Sequence, residues 1–152
     1  MATPGGGPYS ELHGGRIILR DKRPDDAEND YRWRSDPELA RLDAAIPLTM
    51  SFGRYLKLFE DQMKYPTPGS HHYSIDTLDG RFIGNCMYYD MDTVNLEAEL
   101  GIVIGDRDYW SDGYGYDAVT KLRSEERRGG KECRARWQPY TEKKNKKNHI
   151  TI

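Results

Sequence analysis

The sequence of 152 residues predicts a mixed α/β domain of the α+β kind, with helices layered on a mixed sheet. Three observations carry this. A short β-branched run near the start leads into helical spacing. Two alternating segments then flank a Leu78-Asp79-Gly80 turn, and a strand, a glycine-bearing turn and a helix start follow one another over residues 97–119. That order fits helices packed on a sheet rather than a bundle or a sandwich.

Residues 1–15 are Gly- and Pro-rich and read as a flexible lead-in; they carry neither the basic region nor the apolar core of a signal peptide. Residues 16–20, Arg-Ile-Ile-Leu-Arg, form the first expected strand. Pro24 suits the first turn of a helix, and Asp25, Asp26 and Glu28 complement the positive end of its dipole. This helix should reach Arg34 and break at Ser35-Asp36-Pro37 before a short second piece, 38–42. Ser51 is an expected N-cap for a helix whose apolar positions are Phe52, Tyr55, Leu56, Phe59 and Met63, and Pro66 to Gly69 ends it. Residues 71–77 and 82–89 pair as a hairpin, and 90–95 connect to a strand over 96–104. In that strand Ala98, Leu100, Ile102 and Ile104 share one face, and Glu97, Glu99, Gly101 and Val103 the other. A last helix is expected from about Tyr116.

Composition narrows the function classes. No run of 18 apolar residues exists, so no membrane span is expected. Cys86 and Cys133 stand 47 positions apart without a C-x-x-C pattern, which argues against a disulfide framework or zinc site and for a reducing, cytoplasmic setting. Net charge is −2, but residues 121–152 hold eleven Lys/Arg against four Glu (+7), leaving −9 on residues 1–120. An acidic body favours a cationic acceptor or ligand. His71 and His72 point to opposite strand faces and cannot readily share a metal; Cys86 reads as a small buried hydrophobe. Tyr31, Trp33, Tyr88 and Tyr89 read as packing residues, with Tyr88 or Trp33 also suited to lining an acceptor cleft. The acidic stretch 25–30 reads as a solvated helix face.

The chemistry concentrates in 97–119. Glycine lets main-chain N–H groups approach an anion, and a helix N-terminus offers unpaired donors and a positive dipole end. Gly113-Tyr114-Gly115 taken alone is equally an ordinary turn, and it lacks both the G-K-[ST] of a P-loop and a third glycine.

The longer run 98–119, AELGIVIGDRDYWSDGYGYDAV, resembles the acetyl-CoA motif of the GNAT superfamily, and within it the RimJ/RimL-like branch. Residues 16–20, Pro24-Asp25-Asp26 and 83–88 fit the same branch. The resemblance implies an N-acyltransferase that moves an acetyl group from acetyl-CoA to a primary amine, either a protein N-terminus or a small amine, without a metal. It implies that the strand bearing Leu100, Gly101, Ile102, Val103 and Ile104 runs beside the pantetheine arm. Trp110, Ser111, Asp112, Gly113, Tyr114 and Gly115 would cradle the diphosphate. The family often has Gly-Lys where this chain has Ser111-Asp112; Asp112 would repel a diphosphate, and Arg107 is the nearest cation in sequence to offset it. Glu99 is the candidate general base, directly or through a water; it also reads as a solvated or ion-paired strand residue.

Residues 123–152 have neither helical nor strand periodicity. They read as a basic nucleic-acid-binding arm with Trp137 and Tyr140 as stacking groups, or as a disordered charged tail. The run 123–141 most resembles a translated short-read sequencing adapter, departing at Gly129, Ala135, Gln138 and Thr141. On that reading the acetyltransferase domain covers 16–122, nucleic acid is not the natural partner, and the family's remaining strand, helix and thiolate-protonating acid are missing. An unpaired strand edge, low stability and no measurable activity are then expected.

Overall fold

The computed structural model describes residues 11–92, 94, 97–128 and 149–151. Six strands form one sheet in sequence order, each antiparallel to its neighbour. This corrects the mixed sheet expected from the sequence: among the described residues successive strands pair and none runs parallel. They are β1 Leu12–His13, β2 Ile17–Asp21, β3 His71–Thr77, β4 Phe82–Asp92, β5 Glu97–Ile104 and β6 His149–Thr151. The helices are α1 Ala27–Ser35, α2 Pro37–Leu42, α3 Phe52–Lys64 and α4 Tyr114–Arg128.

Register fixes which side chains share a face. Leu19 opposes Ile75, Tyr73 opposes Cys86, and Cys86 opposes Ile102. With Ile17 and Leu100 these make the apolar face, on which α4 lays Ala118, Val119 and Leu122. The alternate residues, Arg20, Ser74, Asn85 and Glu99, face the other way, toward α1. There the contact is ionic. Arg20 makes a two-pronged pair with Asp26 (both 2.8 Å) and reaches Asp76 at 2.7 Å, while Ser74 and the main-chain N–H of Arg23 also donate to Asp26. Lys22 pairs with Asp30 at 2.7 Å, and Asn85 donates to the same carboxylate. Asp26 and Asp30 are each 4% exposed. The stretch expected to be a solvated face therefore turns two of its carboxylates inward, because two basic side chains already wait on the sheet.

Local chemistry explains the boundaries. Pro24–Asp26 forms a 3-10 turn ahead of α1, and Asp36 caps α2 by accepting from the N–H groups of Glu38 and Leu39. Ser51 caps α3 as expected, accepting from the Arg54 N–H. Of the apolar positions read on α3, Tyr55 and Phe59 are buried with Ala27, whereas Phe52 and Met63 stay exposed. Strand β4 runs to Asp92, into the segment expected as a connection, and α4 starts at Tyr114 rather than near Tyr116. Helix α4 also passes the boundary expected at Leu122 and ends at Arg128.

The outer edge of β5 is partly covered, a correction to the unpaired edge expected from the sequence. Strand β6 pairs with Glu97, Ala98 and Glu99, while residues 100–104 have no second strand among the described residues. Trp137, Tyr140 and most of the adapter-like run lie outside the described residues.

Candidate active site

The site grows from β5 and what it leads into. After Ile104 the chain makes a short 3-10 turn, Arg107–Tyr109, opened by Asp106 accepting from the Asp108 N–H. The indole N–H of Trp110 then donates to the Ile104 carbonyl at 2.6 Å, fastening this loop to the strand end. Ser111 follows with φ of 65° and Gly113 with φ of 83°. Both sit in the left-handed region, which glycine occupies without steric cost and serine does not. This is the physical reason a glycine suits position 111.

The first main-chain bond of α4 runs from the Asp117 N–H to the Gly113 carbonyl, at 3.0 Å. The N–H groups of Tyr114, Gly115 and Tyr116 therefore precede the intrahelical ladder and carry the partial positive charge of the helix end. Gly115 lies against the strand, where a Cβ would make ordinary contacts of 3.7 Å with Ile102 and Ile104. Asp112 is exposed.

Arg107 does not serve Asp112. Its guanidinium pairs with Asp36 at 2.9 Å and Glu38 at 2.7 Å and lies 5.5 Å from the Trp110 ring. The cation that reaches the turn is Arg16, which donates from its guanidinium to the Asp112 carbonyl and from its main-chain N–H to Asp117 at 2.7 Å. Neither Arg16 nor Asp117 was singled out in the sequence. Their partnership joins positions 101 residues apart and leaves no local pattern.

Glu99 lies on the α1 side of the sheet, half-buried, opposite Tyr89 on β4. Its Oε2 is buried and has no hydrogen-bond partner among the described residues. Beside it, Met87 and Tyr89 close over Gly101, whose Cβ would come within 3.1 Å of Met87. Glu99 and the N-terminus of α4 thus lie on opposite faces of β5, toward opposite ends of residues 99–104. The edge at 100–104 runs between them. Leu100, Ile102 and Ile104 turn their side chains toward α4, so what this edge offers a ligand is main chain.

The other candidates fall away from this edge. His71 pairs with Asp21 at 2.9 Å and stacks on Tyr88, and no group of three or more His, Cys, Asp or Glu among the described residues could hold a metal. Cys86 is fully buried, and burial pushes its thiol up to about 12. Trp33 packs on Phe82 and fills the space a Cβ at Gly105 would need, 2.0 Å away. Trp33, Phe82 and Gly105 line a concavity of about 510 Å³ in which Arg81 pairs with Asp106 and Arg107 with Asp36, while Arg32 donates to the Asn29 side chain.

The acetyltransferase (GNAT) domain model matches residues 16–130. The chain belongs to the GNAT acetyltransferase family. Acetyl-CoA-dependent N-acetyl transfer is the family's reaction. The solved structures agree on the fold. RimL, a ribosomal L7/L12 alpha-N-protein acetyltransferase in its apo form, superposes with a TM-score of 0.66 at 10% identity, over 97% of this chain and 95% of that one. A GNAT-family acetyltransferase from Bacillus anthracis gives 0.65 at 12% identity, over 93% and 95%. The microcin C7 self-immunity acetyltransferase MccE, in complex with acetyl-CoA and AMP, gives 0.59 at 18% identity, over 84% and 69%. No curated protein matches the chain in sequence. No helix among the described residues is long and apolar enough to cross a membrane.

The residues present fit the GNAT co-substrate. Among the described residues no second strand covers the main chain at 100–104, the α4 end presents donors, and Arg16 brings a cation. Asp112 is the one group in the turn that opposes a diphosphate.

Proposed function

We propose that this GNAT domain moves the acetyl group of acetyl-CoA onto a primary amine, with Glu99 as the general base. The observation that carries the reading is the buried Oε2 of Glu99, which has no hydrogen-bond partner among the described residues and lies next to the stretch 100–104 that no described strand covers. A buried carboxylate oxygen without a donor is costly unless a ligand or water supplies one. An amine acceptor does so, because its N–H must lose a proton before or as nitrogen attacks the thioester carbon. Glu99 takes that proton, directly or through one water. The N–C bond forms, the C–S bond breaks, and the thiolate of CoA takes up a proton in turn.

Main-chain groups of Leu100, Gly101, Ile102, Val103 and Ile104 bond the amides of the pantetheine arm. The turn from Trp110 through Ser111, Asp112, Gly113 and Tyr114 to Gly115 holds the diphosphate against the α4 end. Trp110 does so indirectly, by tying the loop to Ile104. The acceptor enters on the α1 side, where Glu99, Met87 and Tyr89 form one wall. A protein N-terminus and a small free amine are both consistent with that wall, and the acidic balance of residues 1–120 favours a cationic acceptor.

Binding and turnover are separable measurements. Calorimetry with acetyl-CoA reports the co-substrate site alone, and a panel of N-terminal peptides and polyamines, read by thiol release, reports the reaction. Glu99→Gln is expected to leave acetyl-CoA binding within about twofold and to lower kcat by about 10²–10⁴-fold. Turnover by the Gln variant at the wild-type rate would remove Glu99 from the role. An absence of acetyl-CoA binding by the unaltered chain would defeat the whole reading. Salt-sensitive oligonucleotide binding that disappears when residues 123–152 are deleted would favour a binding module instead.

A further inference from the structure

The diphosphate turn has a problem that Arg107 was expected to solve and does not. Asp112 places a carboxylate in the turn, and the Arg107 guanidinium is held by Asp36 and Glu38. We infer that Arg16, at the mouth of β2, is the cation of the diphosphate turn and its positioning residue. This rests on the acetyl-CoA reading above.

Three observations support it. The Arg16 guanidinium reaches across to donate to the Asp112 carbonyl. Its Nη1 lies 3.7 Å from where a Cβ on Gly113 would stand, so the charge lies over the glycine that the turn leaves bare. No acidic side chain among the described residues pairs with this guanidinium, unlike those of Arg20, Arg81 and Arg107. Arginine has five N–H donors, and the Asp112 carbonyl occupies one. The others, and the positive charge they carry, remain for phosphate oxygens.

The main-chain half of the arrangement is independent of the side chain. The Arg16 N–H binds Asp117 Oδ2 at 2.7 Å, and this tie between β2 and the first turn of α4 survives any non-proline substitution at position 16. Arg16 thus ties β2 to α4 through its main chain and brings a cation to the turn through its side chain.

The test uses the full chain, with CoA and with pantetheine, which lacks the diphosphate, titrated calorimetrically at low and high salt. Arg16→Gln keeps a donor but removes the charge; Arg16→Lys keeps both. The expected result is about tenfold weaker CoA binding for R16Q with a flattened salt dependence. R16K should stay within about threefold of the unaltered chain, and pantetheine binding should be unchanged in both. Melting curves accompany each variant, and if R16Q fails to fold, R16K still decides: a loss as large as tenfold overturns the inference. Unchanged CoA binding by R16Q overturns it as well. So does a weakening with the original salt dependence intact, which would leave Arg16 a staple of the turn alone. If the unaltered chain binds pantetheine but not CoA, the turn holds no diphosphate and both readings of it fall.

Discussion

Ser111 shows how one side chain can tune this turn. With φ at 65° its Cβ crowds the following carbonyl, a conformation costing about 1–2 kcal/mol that glycine avoids. Glycine returns part of that as extra freedom in the unfolded chain. Ser111→Gly is therefore expected to raise stability by about 0.5–1 kcal/mol, visible as a higher denaturation midpoint at unchanged m-value. An unchanged or lower midpoint would mean that the turn holds Ser111 without strain. Asp112→Asn should tighten CoA binding about two- to fivefold at low salt and less at high salt, since it removes an exposed like charge. Cys86 makes a contrasting case. Burial raises its thiol and closes access, so alkylation by iodoacetamide should proceed only on unfolding, at the rate that opens the sheet.

At the scale of elements, close approach rather than propensity decides where two parts meet. Gly105 lets the loop after β5 press on Trp33 of α1, and a Cβ would stand 2.0 Å from the indole. Gly105→Ala should cost about 2–3 kcal/mol in chemical denaturation while leaving Glu99 in place, because the indole can yield only by disturbing its packing on Phe82. A loss below about 0.5 kcal/mol would show that Trp33 swings aside freely. Much at this scale was legible in the sequence. The hairpin around Leu78-Asp79-Gly80, the β5 alternation, the Ser51 cap and the break at Ser35-Asp36-Pro37 all follow from short-range rules that hold inside one element. Less legible was the end of β4, where the ladder resumes past an irregularity after Tyr89 because β5 offers Glu97 opposite Asp92.

At the scale of the whole molecule the two faces of the sheet are built from different physics. The α4 face is apolar, and the α1 face is tied by buried ion pairs, of which Arg20–Asp26 is the centre. Burial alone would raise the Asp26 carboxyl, but the Arg20 pair, the Arg23 N–H and the Ser74 hydroxyl outweigh it and hold the group below the usual carboxylate range. A lowered native value means that the unfolded chain binds protons first as pH falls. The stability contributed by Asp26 is complete above about pH 4, and is lost below it as pH drops through the native value. Asp26→Asn should cost about 3 kcal/mol at pH 7 and flatten the acid limb of the stability curve below pH 4. If the Asn variant retains that limb unchanged, other carboxylates govern acid unfolding.

The sequence by itself carried the resemblance that named the family, and it determined the α/β class, the order of elements from β2 to the start of α4 and the strand–turn–helix over 97–119. The class and the order depend on periodicity, capping and turn chemistry, which neighbouring residues settle among themselves. Only the tertiary structure decided which charges meet. Asp26 and Asp30 repeat at helical spacing, and Arg20 and Lys22 at strand spacing, but their pairing needs α1 laid across β2. Arg107 stands five residues from Asp112 in sequence yet is held by α2 and the residue that caps it, while Arg16 crosses 96 positions to reach the same turn. Coulombic partners are set by distance in space, and for charges on different elements the chain's local order says little about that distance.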